Sequence, residues 1–212
     1  MEHSGFVRPI LSPARKALRD GTHAEHVELN QHPLLAGITK ADYPLENYRT
    51  VLLAYFYFYC AVEAAIDSGI KNLGSTFDYE PRRKLGWIRK DLAHFGIDPI
   101  AGNIDSDISV SQLKFDSIAE LVGALYTIEG SSLGGQVISR HIAATHNLTL
   151  NNGARFFHGY GENIPLYWQQ FESFMDTGLG SEDSLNQAIA MAKKIFLLMK
   201  EALDAAHVTT KR

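Results

Sequence analysis

The sequence predicts an all-α protein, and three observations carry that expectation. Apolar residues recur at three- and four-residue spacing over long stretches, helix start and stop residues bracket those stretches, and no set of alternating strands is present. Ser12-Pro13 opens the first helix, because serine caps orphan N–H groups and proline is tolerated at the first helical position. That helix is expected to reach about Leu29, with Ala14, Leu18, Thr22, His26 and Leu29 on one face and His26 turned inward. Pro33-Leu34-Leu35 reads as a connector, and a second long helix is expected from Pro44 towards Gly69. Its Tyr55-Phe56-Tyr57-Phe58-Tyr59 run suits a strand by propensity, but Leu52, Tyr55, Phe56, Tyr59, Val62 and Ile66 carry a helical stripe through it. Glu80-Pro81 begins the next helix, marked by Leu85, Ile88, Leu92 and Phe95 and stopped by Gly96. Residues 97–115 form a polar connector. Asp116-Ser117 then opens a long apolar-periodic helix to about His146, interrupted by Gly130, Gly134 and Gly135. Pro165 starts a helix bearing Leu166, Trp168, Phe171 and Met175, and the last helix follows Ser181 on a stripe from Leu185 to Leu203. One domain over residues 12–206 is expected, with tails at 1–11 and 207–212.

Composition excludes several classes. The 20 Lys and Arg against 24 Asp and Glu give a net charge of -4, which offers no general attraction for phosphate backbones, so no nucleic-acid partner is expected. The single Cys60 cannot form an internal disulfide, which fits a reducing, cytoplasmic setting. The longest apolar run, Val51 to Val62, contains three tyrosines and stops at Glu63, short of the ~20 residues of a membrane span. The opening residues carry no secretory signal, and no membrane association is expected.

Two constellations carry chemistry. His26 is an imidazole on a face of apolar and small groups, and neutral imidazole is a good axial ligand for heme iron. A lone inward histidine is more commonly a hydrogen-bonded core residue, so this reading needs a second half. Arg19, seven residues earlier, lies about 10.5 Å along the same face, a reach that suits a heme propionate. The second half is Gly130-Ser131-Ser132-Leu133-Gly134-Gly135. Three glycines in a helical pattern cost about 1 kcal/mol each against alanine, and the return is either close helix packing or a flat ligand against bare backbone. The same segment matches G-x-S-x-G with Ser132 as nucleophile, but that motif requires a preceding strand, which is missing here. Carboxylate-bridged diiron ligation fails because only Asp91-x-x-His94 and His23-x-x-His26 approach its pattern.

With both halves placed, the chain resembles the heme oxygenases, most of all the bacterial members that supply biliverdin to phytochromes. Leu18-Arg19-x-x-Thr22-x-x-x-His26 resembles the family's proximal helix, Gly130 to Gln136 its glycine-rich distal helix, and Phe196-Leu197-Leu198 an apolar run of its last helix. The resemblance implies a single multi-helix bundle with heme between a proximal and a kinked distal helix. His26 becomes the proximal iron ligand; Arg19, Thr22 and Tyr126 contact the cofactor; Gly130, Ser131, Gly134 and Gly135 form the catalytic distal face. Heme would be both cofactor and substrate, cleaved with dioxygen and reductant to biliverdin, carbon monoxide and ferrous iron. Electrons would come from a ferredoxin or a flavoprotein reductase, since no flavin or nicotinamide motif is present, and a bacteriophytochrome is the implied biliverdin acceptor. Two departures stand out. Ser131 occupies the place of the distal aspartate of animal members, and Asn30 the place of a glutamate one turn beyond the proximal histidine. The first departure supports a rival reading, a non-catalytic heme carrier on the same fold. A third reading, a thiaminase-like pocket, lacks the acidic and cysteine residues it needs.

Overall fold

The computed structural model describes residues 12–99 and 113–209. Among these the chain is helical with no strand: α1 (Pro13–Gly21), α2 (His23–Asn30), α3 (Leu45–Asn72), α4 (Leu85–His94), α5 (Ile118–His146), α6 (Arg155–His158), α7 (Ile164–Gly178) and α8 (Glu182–Thr209). The expected tail at 1–11 and most of the 97–115 connector lie outside the described residues.

Helices α3, α5 and α8 form the centre. Helix α5 packs most extensively on α8, and α3 lies on α8 and α4. The aromatic run of α3 is helical, as its stripe requires, and buries Leu52, Phe58, Tyr59, Val62 and Ile66 completely. Its long apolar character is that of a core helix, two-thirds buried over its most hydrophobic window. Leu121, Leu125 and Ile128 of α5 meet Ala192, Ile195 and Leu203 of α8 in the same core. Each large side chain so buried contributes roughly 1.5–3 kcal/mol.

Local signals explain several element ends. The Ser12 hydroxyl accepts from Arg15 N, and Ser117 caps α5 by accepting from Glu120 N. Gly96 takes φ +68 just beyond α4, a conformation that favours glycine. Four expectations are corrected. The first helix is two helices, because Thr22 leaves helical geometry at φ -111 and ψ 7. Its hydroxyl donates to Leu18 O at 2.7 Å, the local competition by which threonine disturbs a helix interior. Glu80-Pro81 begins only a 3-10 turn, Glu80–Arg82, and α4 starts at Leu85. Its first turn is capped from afar by Glu63 of α3, whose buried carboxylate accepts from Lys84 N at 2.6 Å and Leu85 N at 3.3 Å. The glycines of α5 do not interrupt it, for the helix runs unbroken from Ile118 to His146. The tail expected from His207 is helical through Thr209, and the His207 ring lies edge-on to that of His32 at 6.0 Å.

Candidate functional site: a cavity between the first helices and the glycine face

The broken first helix and the middle of α5 enclose a cavity of about 470 Å³. That lies within the roughly 300–1,000 Å³ of small-molecule sites. His26, Thr22 and Arg19 border it from α1 and α2, and Gly130, Ser131, Gly134 and Gly135 from α5, with Tyr126 and Trp168 towards the α1 end. All eight residues singled out from the sequence therefore face one space.

The glycines separate into two kinds. A Cβ on Gly130 or Gly134 would meet nothing within 4 Å, so these two present bare backbone to the cavity. A Cβ on Gly135 would stand 3.0 Å from Phe157 O, and one on Gly123, about two turns before Gly130, would collide with Ala188 O. Close packing thus accounts for Gly123 and Gly135, while Gly130 and Gly134 leave open space beside the helix. Gly123, which sequence reasoning passed over, lets α5 pack directly against the backbone of Ala188 in α8.

On the opposite wall the His26 ring is exposed to the cavity and stands edge-on to Phe196 at 5.9 Å. Its surroundings strip enough water to push its pKa below the usual imidazole value, and His23 adds repulsion. The ring is therefore held neutral, the form that ligates metal. Asn30, one turn on, brings its amide nitrogen within 3.3 Å of His26 Nε2. Among the described residues no group of three or more His, Cys, Asp or Glu gathers, so a metal here would rest on one imidazole and on whatever group carries it.

The α1 end is cationic. Arg15 lies 4.6 Å over the Trp168 ring and donates to Glu172 at 2.9 Å, while Arg19 is exposed and paired with Asp20. Tyr126 and Thr22 interact through their hydroxyls, and burial raises the Tyr126 pKa. On the glycine side, Ser131 Oγ donates to Ile128 O at 2.6 Å and lies 3.4 Å from the Tyr59 hydroxyl. Ser132 Oγ is buried with no partner, and so is Trp168 Nε1. Ser132 sits within an unbroken helix, not after a strand, which removes the nucleophile-elbow reading.

Several wall residues were not anticipated. Phe156 and Phe157 enter from α6, held there by Asp91, whose two carboxylate oxygens accept from Arg155 N and Phe156 N at 2.8 Å each. Desolvation raises the Asp91 pKa to about 6. Lys84 reaches the cavity from the strap before α4. Only the Asp91-x-x-His94 spacing drew attention in the sequence, and for a metal. No local pattern signals a carboxylate that caps a helix 64 residues away.

A flat, largely apolar group with an anionic edge fits this space. It would find an imidazole on one face, side-chain-free backbone on the other and arginines at one end. The profile of the Heme oxygenase family matches residues 12–205, nearly the whole described chain. The chain belongs to the heme oxygenase family. A heme oxygenase of Xanthomonas campestris pv. campestris (strain 8004) is 28% identical over 161 residues, covering 76% of this chain and 90% of that one. The fold is shared with the heme oxygenase of Leptospira interrogans, with TM-score 0.77, 20% identity and coverage of 90% and 98%. It is shared too with heme oxygenase-2 of Synechocystis sp. PCC 6803 in complex with heme and NO, with TM-score 0.76, 19% identity and coverage of 93% and 86%. The NO- and CO-bound enzyme of Neisseria meningitidis gives 0.71 at 21% identity, covering 92% of each chain.

Proposed function

We propose that this member of the family binds heme through His26 and cleaves it with dioxygen to biliverdin, carbon monoxide and ferrous iron. The observation that carries the reading is that His26 and the bare backbone of Gly130 and Gly134 border one cavity. Heme supplies both the redox metal and the ring that is opened. The protein's residues do the rest. His26 offers a neutral ring nitrogen, and Asn30 turns its amide aside to release it. Gly130 and Gly134 admit the macrocycle against the helix, and Gly135 closes that helix onto Phe157. Arg19, with Thr22 and Tyr126, receives the propionate edge. Ser131 cannot donate towards the cavity while its proton serves Ile128 O, so it acts there as an acceptor. The aromatic wall of Tyr55, Phe156, Phe157 and Phe196 keeps bulk water from the ring edge.

Electrons come from an external ferredoxin or flavoprotein reductase in the cytoplasm, where the lone Cys60 stays a thiol, and a bacteriophytochrome is the proposed recipient of biliverdin. The test is a hemin titration of the wild type and His26→Ala, followed by reductant in air. A Soret band that decays as a biliverdin band grows is expected for the wild type, and altered axial ligation for His26→Ala. A stable wild-type Soret band would replace oxygenase with carrier, and unchanged ligation spectra in His26→Ala would remove His26 from the iron.

A further inference from the structure

Behind the glycine face lies a group of charges that the binding of a flat guest does not require. Arg82, Lys84 and Glu129 are each at most 2% exposed. Arg82 donates to Glu129 Oε2 at 2.8 Å, and the Tyr160 hydroxyl donates to Glu129 Oε1 at 2.9 Å. Lys84 Nζ is 3.0 Å from the Tyr160 oxygen, but 3.3 Å from Arg82 O and 3.4 Å from Glu129 Oε1. One of its three protons is thus well placed, and two are held at the limit of hydrogen-bonding distance. Lys84 is also part of the cavity wall.

The other donors around the cavity are poor sources of a proton. The hydroxyls of Thr22, Thr127 and Ser131 are committed to Leu18 O, Ala192 O and Ile128 O. The phenols of Tyr55, Tyr59 and Tyr126 are made weaker acids by burial. Guanidinium groups do not deprotonate, which sets Arg15 and Arg19 aside. His23 and His26 belong to the opposite helix. Lys84 differs in kind, because burial weakens the hold of its ammonium on the proton. The groups facing it are Glu129 from α5 and Glu63 from α3, which favour the charged form, and Arg82, which opposes it. Tyr160, stacked on Tyr167 at 4.2 Å, completes the shell.

We propose that Lys84 is the internal acid of the cavity, releasing a proton from Nζ to an oxygen of the guest on the Gly130–Gly135 side. In that step one N–H bond breaks, its electron pair stays on Nζ and an O–H bond forms on the guest; the amine is later reprotonated by water entering the cavity, whose hydroxide leaves to bulk solvent. Glu129 and Tyr160 are positioning residues that hold the ammonium in place. Ser132 Oγ, buried and unpartnered, offers a site for the oxygen or water that receives the proton. The inference rests on heme as the guest.

The test compares wild type, Lys84→Met and Lys84→Arg. Met leaves Glu129 paired with Arg82 and Tyr160, and Arg keeps the charge but cannot release a proton. Hemin titration comes first. Equal Soret titrations in all three support the separation of seating from proton supply, whereas a wild type that takes up no heme overturns the heme reading itself. The single-turnover rate of ring opening is then followed against pH. The wild-type rate is expected to fall as pH rises through the lysine titration, and both variants to be slower by roughly a hundredfold, with a flattened profile. The pH midpoint of the ferric heme spectral transition gives a second readout. Loss of a nearby cation raises it in Lys84→Met, and Lys84→Arg keeps the wild-type midpoint. A Lys84→Arg protein with the wild-type rate and pH profile would overturn the proposal, as would an unmoved midpoint in Lys84→Met. Should Lys84→Met not fold, the Arg variant and the wild-type profile decide.

Discussion

Alanine at Gly130 and Gly134 should make the protein more stable and its cavity worse at once. Glycine in a helix interior costs about 1 kcal/mol against alanine, and a Cβ at either position meets nothing within 4 Å. The double variant without ligand should gain about 2 kcal/mol, which for a domain of this size raises Tm by roughly 4–8 °C. The two new methyl groups stand in the space a flat guest must occupy, and overpacking of that sort costs roughly 1–3 kcal/mol. Heme affinity should drop by between about fivefold and 150-fold. Thermal unfolding of the ligand-free protein and a hemin titration read the two effects separately. A double variant that is no more stable, or that binds heme as tightly as the wild type, would refute the assignment of these glycines to ligand approach.

The remaining predictions follow from other contacts. Gly123→Ala drives a Cβ into Ala188 O, forces α5 from α8 and should lower Tm by at least several degrees, with the loss visible in the ligand-free protein. Glu129→Ala leaves Arg82 and Lys84 buried without their carboxylate; breaking such a pair costs roughly 3–5 kcal/mol, and denaturant unfolding should show it as a lower midpoint. His26 has a folded pKa below its unfolded value, so the unfolded chain takes up a proton first as pH falls. Stability and imidazole ligation should therefore be fully present above about pH 6.5 and decline below it, as equilibrium unfolding and Soret titrations across that range will check. Asp91→Ala removes the acceptor for Arg155 N and Phe156 N and should loosen α6, seen as faster amide exchange at residues 155 and 156.

The sequence carried those features whose causes are local. Helical periodicity overrode the β-propensity of Tyr55 to Tyr59, Ser117 and Gly96 marked their helix ends, and His26 with the glycines of α5 marked the two cavity walls. It did not carry the break at Thr22, where one hydroxyl competes with a backbone that the flanking stripe predicts to continue. It could not tell which glycines of Gly130 to Gly135 face open space and which close onto a neighbour, because that depends on Phe157, brought in by α6 from another part of the chain. The buried charges at Arg82, Lys84 and Glu129 were invisible for another reason. Each reads as an ordinary surface charge until 45 or more residues of intervening chain fold and bring them within reach.

The joint at Thr22 divides the cavity's contacts between two short bodies. Arg15 and Arg19 ride on α1, which leans on α7 and α8, while the imidazole of His26 rides on α2 against α8. Under the proposed ligation by His26, the angular seating of a guest and the bond to its centre would be adjustable by separate substitutions. An engineer who wants to rotate the guest, and so change which edge of it is presented for attack, can redistribute charge along one turn of α1 and leave His26 where it is.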